Sequence, residues 1–188
     1  VYLQEVMVPH WVRGEKETAK VIHTPSGKET EVSITALGGS IATPEKGLRA
    51  EVIEVKDFDE LKKMGREKIA GKIVFYNYKF DIKKIIPFDM YGEAGKYRYL
   101  GPGEAARYGA VGSVVRSMTN YIDDYPHTGS MAYNDSLPKI PACAISTLDA
   151  EWLSSELKKD GTTSFYFKMN CQTLPDVKSH NVIGELIG

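Results

Sequence analysis

Apolar positions in the first forty residues fall in short, partly alternating runs: Val6, Val8 and Val12, then Val21 and Ile22, then Val32, Ile34 and Ala36. A period of two predicts strands. The stretch Pro25-Ser26-Gly27-Lys28 sits between two of these runs as a turn, so residues 18–24 and 30–37 are expected to form a hairpin. The breaker cluster Gly38-Gly39-Ser40, with Thr43-Pro44 and Gly47 close behind, is read as a boundary.

Beyond it, strands mix with helices. Residues 50–55 alternate as a strand, and Asp57 opens a helix with Glu60 at the capping-box position and Phe58, Leu61 and Ile69 on a loose apolar face. Residues 71–77 read as a central apolar strand. Residues 78–100 show no clear periodicity and are expected to be a long polar and aromatic loop. A short helix over 102–109, a buried strand over 110–116, a second long loop over 117–139 and a strand over 140–146 follow. The clearest helix covers 148–159: Thr147 is its expected cap, Leu148, Trp152, Leu153 and Leu157 share a face, and Gly161 ends it. Phe165, Phe167 and Met169 alternate in a strand over 163–169, and residues 182–187 begin another.

The pattern as a whole is α+β. At 188 residues the chain needs neither disulfides nor metals to bury a core. Lys plus Arg is 24 and Asp plus Glu is 25, without the basic excess that general nucleic-acid binding requires. No apolar run approaches the ~18 residues of a membrane helix, and no signal peptide is visible. Neither nucleic acid nor a membrane is an expected partner. A start at Val1 and an end at Gly188 within a strand pattern lead to the expectation of a segment cut from a larger protein. Cys143 and Cys171 are too few for a structural zinc site and leave the redox compartment unread.

Candidate chemistry is thin. Gly38-Gly39-Ser40-Ile41-Ala42 falls one residue short of a nucleophile elbow, and Thr43-Pro44 is a poor helix start. Gly101-Pro102-Gly103-Glu104-Ala105-Ala106 matches a dinucleotide fingerprint but lacks a buried strand ahead of it. His10, His23, His127 and His180 are widely spaced, and Asp123-Asp124 beside His127 reads as a solvated loop. Tyr76, Tyr78, Phe80, Tyr91, Tyr97 and Tyr99 interleave with Lys79, Lys83, Lys84, Lys96 and Arg98 as on a base-stacking surface, yet Asp81, Asp89 and Glu93 largely cancel the charge. The residues by themselves describe a binding or interaction module with two long loops and no complete catalytic set.

Seven ordered motifs say more. They are Pro9-His10-Trp11-Val12-Arg13-Gly14, Leu37-Gly38-Gly39-Ser40-Ile41-Ala42-Thr43-Pro44, Gly71-Lys72-Ile73-Val74-Phe75-Tyr76-Asn77, Glu104-Ala105-Ala106-Arg107-Tyr108-Gly109-Ala110, Val115-Arg116-Ser117, Pro126-His127-Thr128-Gly129 and Pro138-Lys139-Ile140-Pro141. Together they resemble the carboxypeptidase Q family of di-zinc exopeptidases over most of the chain. The resemblance implies a protease-associated domain, built of β-sandwich or open-barrel-like sheets with a few flanking helices, at residues 44–174. It assigns 1–43 and 175–188 to strands of the surrounding peptidase domain, which are then expected to lack their sheet partners and to promote self-association.

The family's zinc ligands lie in His-x-Asp, Asp-Asp-Gly and paired-glutamate segments. None of these is present here, since Asp123-Asp124 is followed by Tyr125. The resemblance therefore implies no catalytic residue and no metal in this chain, with two zinc ions in the parent enzyme. It further implies a secreted or periplasmic location, the rest of the peptidase domain and a peptide substrate as partners, and a homodimer as a further one. The expected role is to shape or cover the active-site cleft and aid substrate selection. Arg116, able to fork onto a peptide carboxylate, and His127, in a turn-rich loop, are the substrate-binding candidates. The competing expectations are that Arg116 braces the loop by pairing with Asp123 or Asp124, and that the whole module serves only protein–protein contact or dimerisation.

Overall fold

The computed structural model describes every residue except Pro25, Ile82 and Asp160. Strands β1 (Tyr2–Val12), β2 (Thr18–Thr24), β3 (Lys28–Glu31), β4 (Ile34–Ala36) and β5 (Leu48–Val55) precede helix α1 (Phe58–Ile69). Strand β6 (Ile73–Tyr76), helices α2 (Pro87–Tyr99) and α3 (Gly101–Arg107), and strands β7 (Gly112–Arg116) and β8 (Ala142–Ile145) follow. Helix α4 (Thr147–Glu156) and strands β9 (Thr162–Lys168) and β10 (Gln172–Ile183) complete the chain.

Eight strands form one mixed sheet in the order β3-β2-β9-β5-β6-β7-β8-β4, and β1 with β10 forms a separate antiparallel ribbon. Strands β5 to β8 are mutually parallel, and β9 joins them antiparallel to the β2-β3 hairpin. A flat eight-stranded sheet would be about 34 Å wide. Its two edge strands are consecutive in the chain, and the three steps from Glu31 to Ile34 span at most about 11 Å. The sheet must curl until its edges face each other, giving the open-barrel-like α+β architecture expected from sequence.

The alternation of side chains in the parallel strands divides the core. Ile73, Phe75, Val114, Cys143 and Ile145 point inward, where Phe165, Phe167, Ala150 and Leu153 meet them. Val74, Tyr76, Val115, Ala142 and Ala144 point outward beneath Leu61, Ile69, Tyr97 and Ala105. Helix α4 thus plugs the inside of the curled sheet, and α1, α2 and α3 cover its outside.

Several expectations are corrected. Residues 87–99 form a helix rather than a loop, because Met90, Ala94 and Tyr97, spaced as i, i+4, i+7, bury one narrow stripe. Helix α4 is capped by Ser146, whose Oγ accepts the Asp149 N–H at 3.0 Å, whereas Thr147 is already helical and Leu148 faces solvent. Asp57 caps α1 as expected. The expected hairpin 18–37 is split: β3 pairs β2, while β4 crosses to the far edge and pairs β8. Pro25 of its turn lies outside the described residues. Nor do the flanks lack partners. Strand β1 pairs β10, and β2 to β4 belong to the eight-stranded sheet, so hydrogen bonding does not break at Pro44. The last strand ends at Ile183.

Candidate functional site

The C-terminal ends of parallel strands are where open α/β sheets place ligands, and here they carry a polar cluster. Glu54 lies near the end of β5, Asn77 follows β6, and Arg116 ends β7. Helix α4 supplies Glu151 and Ser154, its first turn fixed by the Ser146 cap. Asn77 Nδ2 donates to Glu54 Oε1 at 2.6 Å, and Ser154 Oγ donates to the same oxygen at 3.0 Å. Arg116 Nη1 donates to Asn77 Oδ1 at 3.3 Å and pairs with Glu151 Oε1 at 2.8 Å. Lys79 Nζ holds the other Glu151 oxygen at 2.6 Å. Partial burial works to raise the Glu151 carboxyl, but Lys79 and Arg116 outweigh it and hold the group below its ordinary range. The cluster is closed on itself. Arg116, with 5% of its side chain exposed, already has a carboxylate, and it is Glu151 rather than Asp123 or Asp124.

Above this cluster runs the 117–141 crossover. Ser117 Oγ donates to the Ile145 carbonyl and accepts the His127 N–H, both at 2.7 Å. Thr147 Oγ1 donates to the Tyr121 carbonyl at 2.8 Å and accepts the Asp123 N–H at 2.9 Å. Asp123 Oδ1 accepts the Tyr125 N–H, which makes it a turn former. Thr128 Oγ1 donates to the Ala36 carbonyl, and Gly38 and Gly129 are joined backbone to backbone at 2.9 Å. The backbone is therefore pinned at several points while its side chains stay in solvent: Tyr121 is 78% and Tyr125 75% exposed, and His127 is exposed. Arg116 and His127 are linked only through Ser117, and no hydrogen bond among the described residues joins their side chains.

Other sequence candidates have structural duties. Ser40 is buried, donates to its neighbour Ile41 and accepts the Ala142 N–H, so it is no nucleophile. A Cβ on Gly101 would sit 2.9 Å from the Tyr76 ring, whose Oη donates to the Gly101 carbonyl; the glycine serves packing, not a dinucleotide. Tyr76, Tyr78 and Tyr97 stack on one another beside Phe58, turned inward rather than offered to bases. The histidines stand on β1, β2, the 117–141 crossover and β10, and no three His, Cys, Asp or Glu among the described residues converge as metal ligands. The donors that a two-zinc site needs do not come together among the described residues.

Arg98 entered the sequence reading only as one cation of a base-stacking surface, in a stretch taken for loop. Its Cζ lies 5.4 Å from the Tyr91 ring centre, its Nε is buried without a hydrogen-bond partner, and its guanidinium packs against Gly129.

No protein-family profile matches the chain. Carboxypeptidase Q of Xenopus laevis is 42% identical over all 188 residues. The chain spans about a third of that relative's length, 37%. Among solved structures, a peptidase M28 precursor from Shewanella amazonensis SB2B superposes with a TM-score of 0.87 at 32% identity, covering 96% of this chain and 39% of the other. The aminopeptidase from Aneurinibacillus sp. strain AM-1 shares the fold at a TM-score of 0.61 and 16% identity, over 95% of this chain and 36% of that one. The resemblance carried by the seven motifs thus extends over the whole chain.

Proposed function

Taking as premise that this chain is homologous along its whole length to a segment of carboxypeptidase Q, we propose that it is the protease-associated part of a secreted or periplasmic zinc exopeptidase. In this reading the chemistry and the two zinc ions reside in the rest of the parent, and this segment walls the cleft and helps select peptide substrates. The associated unit runs from about β2 to β9, the span held in one sheet, with the β1-β10 ribbon leading toward the peptidase domain. These bounds are a proposal that replaces a division at Pro44.

The observation that carries the substrate-facing role is the 117–141 crossover, with its backbone fixed and its side chains exposed, leaving from the C-terminal end of a parallel strand. Binding residues concentrate on loops of this kind. His127 is its exposed polar side chain, and Arg116 acts from below as a positioning residue, since Glu151 occupies its guanidinium. The test is His127→Ala in the full-length peptidase, with kinetics on a dipeptide and a pentapeptide beside a thermal melt. A substrate contact lowers kcat/KM about tenfold, as expected for a lost hydrogen bond to a charged group, and leaves the melt unchanged. Unaltered kinetics on both peptides would favour the protein-contact reading, in which Tyr121, Ile122 and Tyr125 are the docking face.

A further inference from the structure

Buried polar groups in folded proteins are nearly always paired, so one that is not calls for a specific explanation. Arg98 carries five N–H donors. Its Nε is buried and unpartnered, and none of the ion pairs among the described residues includes it. The glutamates of the same two helices, α2 and α3, have other partners: Glu93 has Lys84 and Tyr78, and Glu104 has Arg107.

The side chain is nonetheless held in place. The guanidinium is within cation–π range of the Tyr91 ring. Gly129 also lies against it, where a Cβ would fall 2.4 Å from Cζ and 2.7 Å from Nε. Only glycine lets the guanidinium lie against the 126–131 backbone. That segment is itself tied to Gly38 through Gly129 and Met131, and to Tyr99 through Ala132. A planar cation held against a ring and a backbone, with no carboxylate paired to it among the described residues, is suited to receive a planar, two-oxygen anion.

We propose that Arg98, seated against Tyr91 and Gly129, is a binding site for a carboxylate presented by a peptide, either the chain-terminal α-carboxylate or an Asp or Glu side chain. The inference rests on the reading that the 117–141 crossover faces substrate, because Gly129 stands two residues from His127 in that crossover. It adds a charge-selecting subsite to that loop. The Arg116 guanidinium is excluded from the same task by Glu151.

The experiment titrates the 188-residue chain with acetyl-Ala-Ala, its C-terminal amide and acetyl-Glu-amide while following the arginine Nε–H resonances by NMR. Arg98 is assigned by its disappearance in Arg98→Gln. A saturable shift of the Arg98 signal by acetyl-Ala-Ala, about tenfold tighter than by the amide, is the expected result for a terminal carboxylate. The same preference shown by acetyl-Glu-amide identifies a side-chain carboxylate as the source. Raising salt should weaken either binding, because the site is only partly shielded.

Gly129→Ala keeps the charge but drives a methyl into the guanidinium. Its φ is not in the left-handed region, so the fold should survive. This variant should lose the binding as fully as Arg98→Gln. Equal shifts with acid and amide, no shift with any probe, or unimpaired acid binding in Gly129→Ala would each overturn the proposal. These outcomes are read on this chain alone, so they are separable from the kinetic result for His127 in the parent.

Discussion

Removing Glu151 should destabilise the fold more through what it leaves behind than through the contact it deletes. In Glu151→Ala the Arg116 guanidinium remains buried with a single acceptor, Asn77 Oδ1 at 3.3 Å. Breaking one side of a fully buried ion pair costs roughly 3–5 kcal/mol. Glu151 is not fully buried: 37% of its side chain is exposed, so solvent screens the pair and water can reach Arg116 once the carboxylate is gone. We therefore place the loss at about 2 kcal/mol, within the range for hydrogen bonds to charged groups.

Arg116→Met keeps most of the buried volume, and its Glu151 retains Lys79 and solvent. Its cost should be smaller, about 1 kcal/mol, chiefly from the orphaned Asn77 oxygen. The double variant should recover part of the Glu151→Ala loss, since no unpaired charge remains. Urea unfolding at low and high salt, followed by tryptophan fluorescence, gives all three values. A Glu151→Ala loss below about 0.5 kcal/mol, or one no larger than that of Arg116→Met, would refute the view that the buried guanidinium depends on this carboxylate.

Other expectations follow from the same geometry. The Glu151 carboxyl is held low, so its contribution is present above the ordinary carboxylate range near 4.3 and is lost as pH falls through its lower folded value; the gap between the wild type and Glu151→Ala in urea midpoint should narrow between pH 5 and 3. Asp149 is shifted the other way, raised mainly by burial, so ionising it costs stability as pH rises. Asp149→Asn, which keeps an acceptor for the Ser33 N–H, should therefore match or exceed the wild-type urea midpoint at pH 8 and lose that advantage at pH 4. Gly112→Ala would place a Cβ 2.9 Å from Leu48 and 3.2 Å from Phe167 and Ile73, an overpacking cost of about 1–3 kcal/mol measurable by thermal melting. Burial pushes the Cys171 thiol up to about 11 and the Cys143 thiol higher still, so an aromatic disulfide reagent at pH 8 should react with neither until the chain is unfolded.

The α+β character and most elements were legible because β5 and β9 alternate, β6 to β8 are short runs buried on both faces, and α1 opens on a capping box. Phe165 and Phe167, for instance, report one buried face without any knowledge of the neighbours. Helix α2 was not legible. Its buried stripe is one residue wide, and its remaining apolar side chains, Phe88 and Tyr91 among them, face solvent and blur the period. The split between β3 and β4 was hidden for another reason: adjacent runs of alternating residues look like one strand, and only closure of the sheet sends them to opposite edges. In the candidate site, Arg116 and His127 each fall within one of the seven motifs. The partners Glu151, Lys79 and Glu54 come from elements 35 to 62 positions away from Arg116, and no local pattern announces such a pairing. The orphan Arg98 depends on Gly129, and that dependence is visible only as a missing Cβ in three dimensions.

Strand β9 sits in the middle of the sheet although it is nearly last in the chain. It separates two blocks that could each begin to assemble earlier, the β2-β3 hairpin and the parallel run from β5 to β8. Until Thr162–Lys168 leaves the ribosome, both β2 and β5 present a bare edge with apolar side chains behind it. At the ~5–20 residues per second of synthesis, the hairpin waits roughly 7 to 30 seconds for its central neighbour. During that interval the nascent chain is a target for chaperones and a hazard for pairing with a second copy. A stop or cleavage shortly before Thr162 should yield an insoluble product, whereas loss of β10 alone removes only a ribbon strand.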